Sequence, residues 1–204
     1  MKIGFALIPQ DSVVEQIIDF EQRFHDSGNF SHALGIKHNL PHITLFQGEM
    51  NENFDYVTMA NSLSNFLVEK RLIPLVSFSK IVYVEKGWYF LMCDNSDFLL
   101  SMHDFVLKHV EPYIVLPPDR MERDIECLTE NQYKAILRYN YRYAAEAFCP
   151  HITIGRSAQE DVLLLKKMNE AFSEMFKSSI ISKITVYKMG QNGTHENTLY
   201  EIKI

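Results

Sequence analysis

The chain lacks the features that would place it in several large classes. Its three cysteines, Cys93, Cys127 and Cys149, are odd in number and show no CxxC spacing, which fits a reduced compartment better than a disulfide framework. No apolar stretch approaches the ~20 residues needed to span a bilayer. The opening Met1-Lys2-Ile3-Gly4 is not a charged region followed by a long apolar run, so the expectation is a cytoplasmic protein with no membrane role. Positive charge is also in deficit: 20 Lys and Arg stand against 26 Asp and Glu, a net charge of -6. That balance argues against a broad basic face gripping long nucleic acid, because such a face depends on many phosphate contacts. A short or terminal phosphate remains an acceptable ligand.

The 204 residues, 47% hydrophobic and 23% charged, can bury a sizeable core, which excludes a disordered or fibrous chain. Ile3 to Ile8, stopped by Pro9, reads as a buried strand, and Ser12-x-x-Glu15 has the form of a capping box opening a helix to about His25. Val14, Ile17, Ile18, Glu21 and Phe24 give that helix an apolar stripe with one polar interruption. Further along, Asn51 or Asn53 is placed to cap a helix carrying Phe54, Val57, Ala60, Leu63, Phe66 and Leu67. Leu75 to Val84 and Trp88 to Cys93 read as a hairpin across Glu85-Lys86-Gly87. Asp94 to Val110 reads as a helix, Pro117-Pro118-Asp119-Arg120 as a turn, Arg120 to Glu126 as alternating charge, and Glu130 to Arg138 as a short helix. A helix from about Ala158 to Phe176 and a final pair of strands, Ile180 to Met189 and Thr198 to Ile204 across Gly190 to Thr194, close the chain.

Pro41-His42-Ile43-Thr44-Leu45 returns as Pro150-His151-Ile152-Thr153-Ile154. In an extended segment side chains alternate between faces, so each copy presents one imidazole and one hydroxyl to the same surface. Strand, helix, strand, Gly-containing turn and strand follow the motif in both halves. Ser79-Lys80-Ile81 and Ser182-Lys183-Ile184 fall at corresponding places. The reading is one bilobal domain over 1–204 with motif units at about 41–93 and 148–204. Its fold class is α+β and pseudo-twofold, with two antiparallel sheets facing a central cleft and helices outside.

Two facing histidines supply an acid and a base, since an imidazole of ordinary pKa near ~6.5 serves in either protonation state. A threonine hydroxyl two residues on can stabilise charge growing on a phosphoryl oxygen. His42, Thr44, His151 and Thr153 are thus the candidate catalytic residues, and phosphodiester cleavage is the chemistry they fit. Arg156 is a candidate phosphate ligand. Tyr141, Arg142 and Tyr143 are candidates for stacking a base, and Phe46 for a base platform as well as for core. Two strand histidines without a third ligand form an incomplete zinc set, with His38 the residue to test as a third. Cys149 and the other histidines, His25, His32, His103, His109 and His195, read as structural.

The paired Pro-His-Ile-Thr strands resemble the 2H phosphoesterase superfamily, which includes the 2′-5′ RNA ligase-like cyclic phosphodiesterases and is marked by two His-x-Thr motifs. Phe5-Ala6-Leu7-Ile8-Pro9 is similar to its N-terminal strand, and Gly155-Arg156 occurs after the second motif in several members. The resemblance implies a cleft lined by the four motif residues, acting on 2′,3′-cyclic phosphates or 2′-5′-linked nucleotides or RNA ends with no metal or other cofactor. A monomer with a small nucleotide or RNA-end partner is expected. The alternatives are a nucleotide or RNA-end binding protein without turnover, and a His-ligated metal hydrolase.

Overall fold

The computed structural model describes residues 1–31, 33–84, 87–118, 128–158 and 160–204. Glu85 and Lys86 of the expected turn, Asp119 to Cys127 and His32 lie outside the described residues.

Among the described residues, seven strands and five α-helices follow in the order β1 (Lys2–Pro9), α1 (Asp11–Gly28), β2 (Ile43–Glu49), α2 (Tyr56–Glu69), β3 (Leu75–Val84), β4 (Trp88–Cys93), α3 (Asp97–Val110), α4 (Glu130–Tyr139), β5 (His151–Arg156), α5 (Val162–Ser173), β6 (Ser178–Met189) and β7 (His195–Lys203). The strands join antiparallel in the order β1-β2-β5-β4-β3-β6-β7, and β1 also pairs with β6. Six strands therefore close a ring of two leaves, β6-β1-β2 and β5-β4-β3, with β7 on the outer edge of the first. The leaves meet at two seams: Ile43 opposite Ile152, and Leu75 to Ser77 opposite Ile180 to Ser178. The pairing thus relates β1-α1-β2-α2-β3 to β4-α3-β5-α5-β6 and leaves β7 without a counterpart.

Two helices, α1 and α3, cross between the leaves. α1 follows β1 but packs on β5 and α5, whereas α3 follows β4 but packs on β2 and α2. No helix among the described residues is long and apolar enough to cross a membrane.

Local chemistry moved three expected helix starts. Asp55, not Asn51 or Asn53, caps α2, its carboxylate accepting from the amides of Val57 and Thr58 at 3.0 and 3.1 Å. The Ser12-x-x-Glu15 box does not form, because β1 runs straight into α1 and Val13 and Val14 already donate to the Gln10 carbonyl. Asp161 caps α5, so the helix begins later than Ala158, with Val162 exposed in its first turn. The α4 expectation holds, with a capping box between Thr129 and Gln132. The polar interruption in α1 is Glu21, fully buried, bonded to His25 Nδ1 at 2.5 Å and to the Leu34 amide at 3.3 Å.

Candidate active site

Because β2 and β5 run antiparallel with Ile43 opposite Ile152, the residues on either side fall level across the seam, His42 beside Thr153 and Thr44 beside His151. Both isoleucines point into the core and are fully buried. The four polar side chains share the opposite face, and all four line one cavity of about 480 Å³.

Each motif strand breaks its alternation at the same place. Against β1, Ala6 pairs with Thr44 but Phe5 with Phe46, so Leu45 is an extra residue. Against β4, Phe90 pairs with Thr153 but Tyr89 with Gly155, so Ile154 is extra. A bulge reverses which residues face which side. It turns Gln47 and Arg156 toward the cavity, which both line. It also corrects the reading of Phe46, whose ring is fully buried under the strand and meets Tyr141 edge-on at 5.9 Å; it offers no platform to a base.

The two histidines are held alike. His42 Nδ1 lies 2.6 Å from the Leu40 carbonyl and His151 Nδ1 2.6 Å from that of Cys149. A carbonyl can only accept, so each Nδ1 carries the hydrogen and each neutral ring keeps a bare Nε2. Burial pushes both rings down to about 4; the carbonyl bonds oppose this, and His195 and His151 reinforce it at His42. The expectation of one neutral and one charged ring near neutrality is therefore corrected for the free protein, in which both are neutral.

Their surroundings differ. His151 is sandwiched by Phe90, stacked at 3.6 Å, and Tyr143, edge-on at 5.4 Å. His42 sits 5.0 Å from the Tyr187 ring and 5.8 Å from that of His195. Tyr187 reaches the site across Gly4, where a Cβ would strike its ring. Gln47 Nε2 donates to the Tyr187 hydroxyl at 2.5 Å and to the Gly193 carbonyl at 2.6 Å. Burial raises the Tyr187 phenol to about 12, with hydrogen bonds to Gln47 and Thr44 acting the other way.

Tyr141, Arg142, Tyr143 and Arg156 line the cavity. Tyr141 and Tyr143 meet edge-on at 6.0 Å, and the Arg156 guanidinium lies 5.0 Å over the Trp88 ring. His38 belongs instead to a hollow beside α1. Among the described residues no group of three or more His, Cys, Asp or Glu is arranged to hold a metal ion.

Sequence reasoning missed His195, Gln47 and Tyr187. His195 is 3% exposed, lines the cavity, stacks on Tyr187 at 4.7 Å and meets Thr198 Oγ1 through Nε2 at 3.2 Å. No flanking pattern marks it. Gln47 would have been found only by placing the bulge.

No family model matches the chain, and no curated protein matches it. Solved structures do. E. coli LigT complexed with 3′-AMP superposes with a TM-score of 0.51 at 15% identity, over 100% of this chain and 97% of that one. The LigT complex with ATP gives 0.52 at 15% identity over 100% and 97%, and that with phosphate 0.51 at 15% over 100% and 96%. The chain has the fold of LigT.

Proposed function

We propose that this chain is a metal-independent phosphodiesterase of the 2H type, hydrolysing 2′,3′-cyclic phosphates or 2′-5′-linked nucleotides and RNA ends. The observation that carries the reading is the Ile43–Ile152 pairing, which brings two bare imidazole nitrogens and two hydroxyls to one wall of a nucleotide-sized cavity. A phosphodiester is a suitable occupant: it is a monoanion whose phosphorus accepts a bond from the attacking oxygen as one ester oxygen leaves.

A phosphate anion between the rings favours the charged form of a neighbouring histidine and so supplies the imidazolium the free protein lacks. The neutral ring takes a proton from the attacking water at Nε2 as its oxygen bonds to phosphorus. The bond to the leaving oxygen breaks, and the charged ring returns its Nε2 proton to that oxygen. Thr44 and Thr153 donate to the non-bridging oxygens as their charge grows. Gln47, by donating to the Tyr187 oxygen, holds the phenol beside Thr44, to which it is also hydrogen-bonded. Arg156 serves the anionic end, and Tyr141, Arg142 and Tyr143 form the wall for sugar and base. The nucleotide and phosphate ligands of the LigT structures agree with this ligand class.

The test is turnover of a panel of 2′,3′-cyclic mononucleotides and 2′-5′ dinucleotides, with and without EDTA. Hydrolysis indifferent to EDTA and absent in His42→Ala supports the reading. Activity lost to EDTA and restored by zinc would replace it with a metal hydrolase, and no turnover of any compound would leave a binding protein.

A further inference from the structure

We infer that His103, which lies outside the cavity, is the positioning residue that locks the two motif segments together, tying the exit of the first to the entrance of the second. It stands in α3, is 1% exposed, and bonds through both ring nitrogens to backbone. The Ala145 amide donates to Nε2 at 3.0 Å. An amide N–H can only donate, so Nε2 is bare, the hydrogen sits on Nδ1, and Nδ1 donates to the Leu45 carbonyl at 2.7 Å.

Both partners need such a clamp. Leu45 is the extra residue of the first bulge, and a bulged residue falls out of the ladder, so its carbonyl must be satisfied elsewhere. Ala145 has φ 53, a left-handed conformation that a residue with a Cβ keeps only where its surroundings fix it. The Phe148 ring stacks on His103 at 3.9 Å with 11° between planes. Leu45 follows Thr44 directly, while the segment from Ala145 leads to Cys149, whose carbonyl holds His151. Tyr141 to Tyr143 stand just before Ala145 in the chain. One imidazole thus sets the spacing between the two halves of the site. A displacement of about 1 Å in such a site costs on the order of 10²-fold in rate.

The kinetic consequence rests on the proposed phosphodiesterase reading; the structural one does not, and the test separates them. In the full chain, His103→Phe keeps the ring on Phe148 and removes both hydrogen bonds. Hydrogen exchange at residues 140–149 should quicken about tenfold, and kcat on 2′,3′-cyclic AMP should fall about 10- to 100-fold in the folded protein. The pH limbs should stay in place, because His42 and His151 are intact. A structural histidine would lower the melting temperature without changing kcat of the folded fraction. Unchanged exchange at 140–149, or unchanged kcat, overturns the inference. If His103→Phe does not fold, His103→Asn serves, since its shorter amide keeps a donor near Leu45 but does not reach the Ala145 amide as Nε2 does; faster exchange there supports the clamp and unchanged exchange removes it. If the wild type turns over nothing, the function fails while exchange alone still judges His103.

Discussion

Gln47 stands to His42 as Arg156 stands to His151: each follows the bulge in its motif strand and lines the same cavity. The two halves match in histidine, threonine and bulge but differ here, a neutral amide at one end and a guanidinium at the other. The amide is committed to Tyr187 and Gly193. We propose the guanidinium, the charged group of the two, as the end that meets a phosphate oxygen.

Arg156→Gln should therefore raise KM for an anionic substrate about 10- to 100-fold, the worth of a charge-assisted bond, with kcat changed much less. The wild-type KM should climb with ionic strength and the variant's should not. Steady-state kinetics at two salt concentrations checks both. Equal KM values would take Arg156 out of phosphate binding.

His42→Ala and His151→Ala should each lower kcat about 10² to 10⁴-fold while the fold is retained. Thr44→Val and Thr153→Val keep the strand shape and should cost up to about 10² to 10³-fold. Circular dichroism and single-turnover rates on one cyclic mononucleotide decide the matter. A variant that keeps the full rate takes its residue out of the mechanism.

Much of the architecture was legible because the repeated tetrad carries its own geometry: alternation puts histidine and threonine on one face whatever lies around them. The β4 bounds followed from a Gly-containing turn near in sequence, and the α4 helix lies close to where the sequence placed it. What could not be read depends on partners far along the chain. The bulge at Leu45 exists in the register against Phe5 and Ala6, and without it Phe46 shares a face with Thr44 and Gln47 does not. His195 joins the site only because β7 pairs with β6 and brings its ring beside His42. The crossing of α1 and α3 between leaves is equally a matter of tertiary packing.

Activity should be an acid-side property of the free protein. With both rings at about 4, the form holding one proton is most abundant near pH 4 and falls tenfold for each pH step above about 5. The kcat/KM profile, which reports the free protein, should peak well below the ordinary histidine value near ~6.5, with limbs that belong to the pair. The kcat profile reports the complex, where the phosphate anion raises one ring, so its alkaline limb should lie higher. A kcat/KM optimum between pH 7 and 8 would contradict the buried, neutral rings.

Stability should fall on mild acidification, and by a predictable share. His42 and His151 hold folded values of about 4 against an unfolded value near ~6.5. Between these limits the unfolded chain binds protons that the folded chain refuses, so stability drops as the pH falls from 6.5 to 4 and these two rings add no further loss below that. Above pH 6.5 both states are neutral and the effect vanishes. Each ring accounts for on the order of 3 kcal/mol across the window. His103 and His195, also lowered by burial, act in the same direction. Urea unfolding at pH 7 and pH 4.5 measures the difference for wild type and for His151→Phe, whose ring cannot take a proton. Carboxylate contributions are common to both proteins and cancel in the comparison. The variant should lose less stability than the wild type on going to pH 4.5, whereas equal losses would mean that His151 is protonated in the folded protein well above 4.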